Sequence, residues 1–210
     1  MSGVLVAKLI LSPALIALVT LAGRRWGHGA AGVLAGLPIT GGPILFFITL
    51  DQGAAFGQRT AVAALIGLIA FTAFTVVYTW CSRALPWFLA LPVGYLAYAL
   101  VGLPLTRWHP DAPIAALAGA GALIAGANSM PRGEDPARMA LPPPVWELPA
   151  RMVAAGGVVL LVTSLTAWLG PGWSGVLTVF PIAATVLGAF VHHAAGPAAA
   201  TRLLRGLTLG

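Results

Sequence analysis

GVLAGLPITGGP, residues Gly32–Pro43, is an apolar run interrupted by Pro38, Gly41, Gly42 and Pro43. Each proline lacks an amide hydrogen and the glycines relax the backbone, so a helix here loses part of its own hydrogen-bond ladder. The stretch has a second copy. WGHGAAGVLAGLPI at Trp26–Ile39 aligns without gaps onto LGPGWSGVLTVFPI at Leu169–Ile182, pairing Gly27 with Gly170, Gly32 with Gly175 and Pro38 with Pro181. At the same offset Lys8 falls on Arg151, Gly53 on Gly196 and Arg59 on Arg202. The alignment predicts a first repeat over residues 1–130 and a second, incomplete one over 149–210, joined by a polar linker at 131–148.

Composition supplies the solvent. The 210 residues are 59% hydrophobic and 8% charged, against about 25% charged in soluble domains. That much apolar sequence requires lipid around it. The net charge of +6 is scattered, one or two basic residues per connection, with no basic face interleaved with aromatics. It therefore reads as topological and argues against nucleic acid as a partner. Cys81 is the single cysteine, which excludes an intrachain disulfide or a cysteine metal site. Val4–Ala22 reads as a retained span, because Arg24 and Arg25 follow the apolar run, whereas a signal peptide carries its charge first.

The hydropathy pattern predicts an all-α polytopic bundle of seven spans, about 3–22, 30–50, 61–80, 86–105, 113–130, 149–168 and 174–193. The fourth carries Pro92 and Gly94 and is expected to kink. In the fifth, Ala118, Ala122 and Gly126 recur every four residues, a spacing that lets a neighbouring helix approach closely. GAGALIAG at Gly119–Gly126 is no dinucleotide fingerprint, since no strand precedes it and its glycine spacing is wrong. Trp26, Trp80, Trp87, Trp108, Trp146, Trp168 and Trp173 all fall at or beside span ends, where an indole sits between lipid and headgroups. After Arg205 only Gly-Leu-Thr-Leu-Gly remains. It is expected as a short interfacial stub of a truncated or shortened repeat, with a second copy or a partner subunit completing the bundle.

Eight basic residues fall on the side of the connections after spans one, three, five and seven, and three on the other. The positive-inside bias then puts the N-terminus outside a bacterial inner membrane and the 131–148 linker in the cytoplasm. The repeats start five spans apart, so they are expected to lie in opposite senses, an organisation common among secondary transporters.

No H-E-x-x-H, G-x-S-x-G, phosphate-binding loop or intramembrane carboxylate pair occurs. No enzymatic activity, cofactor or metal is expected. Ionisable groups at membrane depth are expensive and therefore of interest. Asp51 and His192 are the candidates for proton or ion coupling. Asp51 is balanced by a reading as an interfacial carboxylate, and His192–His193 by a reading as surface histidines. Lys8 is expected to snorkel, and Arg151 to pair with Glu147 one turn earlier. The candidate solute-binding residues are Pro38, Thr40, Gly41 and Gly42 of the first copy with Pro181 and Thr185 of the second. The second copy is expected to be only kinked, because Ala184 and Thr185 replace the two glycines.

SGVLTVFPIAATVLGAFVHHAAG at Ser174–Gly196 resembles the GlpM-like small bacterial inner-membrane proteins: a glycine-rich approach, Phe-Pro inside an apolar helix, and a histidine-containing end. The resemblance covers about 25 residues and, through the repeat, more loosely the first copy, where Leu37 replaces the phenylalanine. It implies a link to alginate production and brings no active-site residues. Two functions are expected from these readings. One is a secondary transporter or permease for a small solute. The other is a non-transporting scaffold or accessory subunit for envelope polysaccharide production.

Overall fold

Helices that associate within a membrane bring small residues to their contacts, which lets the backbones approach closely. The computed structural model, which describes residues 3–37, 49, 53–131, 146–169 and 180–210 (side chains of 3–12 and 162–169 excepted), follows this rule. Its helices are α1 (Gly3–Trp26), α2 (His28–Gly36), α3 (Ala54–Cys81), α4 (Trp87–Leu105), α5 (Ala112–Ser129), α6 (Glu147–Leu169) and α7 (Ile182–Leu209). No strand occurs among the described residues. Four of these helices, α3, α4, α5 and α7, are long and apolar enough to cross a membrane.

Helix α4 shows this most simply. Leu89, Val93, Leu96, Leu100 and Leu103 are exposed, while Ala90, Gly94, Tyr98 and Gly102 are buried. The buried set recurs every four residues, the spacing of one helix face. A Cβ placed on Gly94 would lie 3.0 Å from the Phe74 ring of α3, so glycine is what lets the two helices touch. Pro92 does not interrupt α4. Helix α5 meets the other side of α3 through Gly119, whose Cβ would come 2.6 Å from the Leu65 carbonyl, and through Gly126 against Thr72 and Val76. The small residues of the fifth span serve packing. The five tryptophans with described side chains (Trp26, Trp80, Trp87, Trp108 and Trp146) are all exposed at or next to helix ends. The Trp80 indole donates to the Ser129 carbonyl at 3.1 Å, tying the ends of α3 and α5 together.

Three glycines make sharp joints. Gly27, Gly53 and Gly196 hold φ of 86°, 87° and 86°, with ψ of 167°, 162° and 175°, a region open essentially to glycine alone. At Gly27 the hydrogen bonding continues through the joint: its amide donates to the Gly23 carbonyl at 2.9 Å, and its carbonyl accepts from Ala31 at 3.1 Å. Gly53 repeats this with Thr49 at 3.0 Å and Gly57 at 3.1 Å. Gly53 and Gly196 are aligned positions of the two copies. So are Trp26 and Leu169, the last residues of α1 and α6.

Two sequence-based boundaries need correction. The span expected over 30–50 begins as α2, which stops at Gly36 with Leu37 extended at φ −57° and ψ 140°. The C-terminal stub is the end of a long helix packed against protein. Helix α7 bends at Gly196 and continues to Leu209, burying Ala199, Ala200, Thr201, Leu203, Leu204, Leu207 and Thr208. Glycines explain this burial. A Cβ on Gly206 would fall 3.0 Å from the Val33 amide and 3.1 Å from the Gly32 Cα, and a Cβ on Gly36 would fall 2.5 Å from the Leu207 carbonyl. The end of α7 and helix α2 therefore pack backbone against backbone, which window hydropathy does not register.

Helices α1 and α6 cross in opposite directions. Thr20 meets Arg151, and one turn later in α1 Arg24 approaches Glu147, one turn earlier in α6.

Candidate functional site

The chain has three tyrosines: Tyr95 and Tyr98 lie in the middle of a helix, and Tyr78 lies three residues before the end of another. Helix α3 supplies Tyr78; α4 supplies Tyr95 and Tyr98, three residues apart and so on adjoining faces of one turn. Tyr95 and Tyr98 converge on the start of α7, and Tyr78 meets the same helix farther along, at His192. Phe180 lies between Tyr95 (ring centroids 5.3 Å apart, stacked) and Tyr98 (5.8 Å, edge-on). Phe74 completes the group, 5.3 Å from Tyr95 and 5.9 Å from Tyr78.

Pro181 sets the geometry. Its φ of −75° and ψ of 57° are those of an inverse γ-turn, closed by the Ile182 amide donating to the Phe180 carbonyl at 2.7 Å. The Pro181 carbonyl then accepts from Thr185 at 2.8 Å and opens the helix. The second copy is thus not merely kinked as its side chains suggested: Pro181 is non-helical, because a missing amide hydrogen costs nothing at a helix start. Thr185 is 7% exposed, and its hydroxyl shares a hydrogen bond of 2.8 Å with the Tyr95 hydroxyl.

Three turns of chain along α7, His192 is buried and its Nδ1 lies 3.1 Å from the Tyr78 hydroxyl, the rings meeting edge to face at 5.9 Å. This overturns the surface reading of His192; it holds only for its neighbour His193, which is exposed beside Trp87. With Nδ1 unprotonated the phenol donates to it; with Nδ1 protonated the ring donates to the phenol oxygen. The pair can hold a proton on either side of one hydrogen bond.

Of the other sequence candidates, Pro38, Thr40, Gly41, Gly42 and Asp51 lie outside the described residues, as does the Lys8 side chain. Sequence reasoning singled out Pro181, Thr185 and His192 but not the tyrosines that bind them. It looked for charge at depth, whereas the partners of Thr185 and His192 are uncharged phenols.

No protein-family model, curated protein or solved structure matches this chain. The site is therefore read from its own residues. Around Phe180–Pro181 it offers aromatic faces and paired hydroxyls, a chemistry suited to hydrogen-bonding a small solute against apolar walls.

A second polar group joins α1 to α6. Glu147 and Arg151 form the expected ion pair, one turn apart and both buried. Arg151 also donates to the Thr20 hydroxyl at 3.4 Å and lies 5.4 Å over the Phe190 ring. Arg24 approaches the other Glu147 oxygen at 3.9 Å.

Proposed function

We propose that this chain is a secondary transporter or permease for a small solute, built from two repeats of opposite orientation in a bacterial inner membrane, N-terminus outside. The observation that carries the reading is the crossing of α1 and α6. These are the equivalent helices of the two copies, and the Thr20–Arg151 and Arg24–Glu147 contacts run antiparallel, as an inverted duplication requires. The matching joints at Gly53 and Gly196 support the same duplication. Solute is taken up beside Phe180–Pro181 by Tyr95, Tyr98 and Thr185. Asp51 and the Tyr78–His192 pair carry the coupling proton.

Uptake into proteoliposomes across a panel of small solutes tests this, comparing wild type with Thr185→Val, Tyr95→Phe and Asp51→Asn. The expected result is flux above empty vesicles, reduced about tenfold by loss of either hydroxyl of the pair. Flux identical in all variants refutes the site. Absence of flux for every solute favours the scaffold role in polysaccharide production that the GlpM-like resemblance implies.

A further inference from the structure

Where α1 ends and α6 begins, two guanidiniums share one carboxylate. Arg151 is only 6% exposed, yet its Nε–H has no hydrogen-bond partner among the described residues, nor has Glu147 Oε2. A buried charge left with an unused donor is costly, and removing it from water is tolerated only with full pairing. The cluster carries one positive charge more than it neutralises. A guanidinium presents its donors as a planar fork that fits a carboxylate along an edge, and Glu147 takes only one nitrogen of it. Phe190, half-buried beside the guanidinium, supplies an apolar wall.

We propose that Arg151, assisted by Arg24, is an anion site for a small monocarboxylate bearing an apolar group. The carboxylate takes the unpaired Nε–H edge of the buried Arg151 fork and cancels the surplus charge, and the apolar part lies along Phe190. Glu147 is the resident competitor: it holds the fork when no solute is bound and yields an oxygen's place when one arrives. The repeat carries the same residue types a second time, with Lys8 aligned to Arg151, Thr163 to Thr20 and Phe47 to Phe190. A cation, a hydroxyl and a ring that recur as a set, at positions far apart along each copy, point to a feature the ancestral unit already used. The site does not depend on transport, since a scaffold with the same cluster would bind the same anion.

The test is equilibrium binding of radiolabelled benzoate to the full chain in nanodiscs. Saturable binding is expected, with benzamide and equimolar chloride failing to compete. Glu147→Gln removes the competitor and should bind benzoate roughly tenfold tighter; Arg151→Lys loses the fork and should bind roughly tenfold weaker. Arg24→Gln, at a residue with a partly exposed side chain, removes the surplus charge and leaves the hydrogen bond between Arg151 and Glu147 Oε1 in place. It should weaken binding by a similar factor while unfolding at the wild-type temperature, which covers the case in which changes at the buried pair disturb folding. No saturable binding to wild type or to any folded variant overturns the proposal, as does benzamide or chloride competing as well as benzoate, or Arg24→Gln binding unchanged. Benzoate binding without flux of any solute keeps the anion site and removes the transporter. Flux of a neutral solute without benzoate binding does the reverse.

Discussion

Replacing Gly196 by alanine isolates the bend in α7 from everything around it. At φ 86° and ψ 175° an L-residue is strained, by about 1–3 kcal/mol. A Cβ there meets no atom within 4 Å, so no steric clash adds to the backbone cost. Gly188, in the same helix, is the control. Its Cβ would make ordinary contact with the Leu204 side chain at 3.5 Å, and alanine in a regular helix is favoured over glycine by about 0.8–1.0 kcal/mol. Gly196→Ala should therefore destabilise, changing the unfolding constant by roughly 5- to 150-fold, while Gly188→Ala should be neutral or stabilising. Reversible unfolding in bicelles, read by tryptophan fluorescence, measures both. If α7 instead ran straight through residue 196, alanine would stabilise there as it does at 188. Equal or stabilising effects at the two positions would refute the bend, and with it the docking of residues 197–209 on α2.

Other outcomes follow from the same contacts. Gly206→Val should be worse than Gly196→Ala, because its side chain enters the backbone of α2 at Gly29–Val33; overpacking of this kind costs about 1–3 kcal/mol or more, measured in the same unfolding assay. Thr185→Val leaves the Tyr95 hydroxyl without its partner and should cost about 1–3 kcal/mol; a double-mutant cycle with Tyr95→Phe should give a coupling above about 0.5 kcal/mol, and zero coupling would mean the two hydroxyls do not interact. Arg151→Met strands a buried Glu147 carboxylate and should cost about 3–5 kcal/mol, largely recovered by the double variant with Glu147→Met. In a Cys81→Ala background, His109→Cys and Glu134→Cys should label from opposite sides of the membrane, Glu134→Cys from the cytoplasm; labelling from one side would break the topology.

The sequence by itself determined that lipid is the solvent, because 8% charged residues cannot clothe a water-soluble surface. It placed the four apolar helices α3, α4, α5 and α7 and the tryptophans at helix ends, since these are properties of local composition. It also found the Glu147–Arg151 pair, whose members are one helical turn apart. Tertiary structure decided the rest. Tyr95 finds Thr185 and Tyr78 finds His192 across separations of 90 and 114 residues, and a single hydroxyl in an apolar helix leaves no periodic trace of its partner. Residues Gly206–Thr208, within the five-residue stub expected at the membrane surface, are buried, and Gly32, Gly36 and Gly206 let two backbones meet there. Five residues are too short to cross a membrane by themselves, so their burial depends on a neighbouring helix that only the tertiary structure supplies.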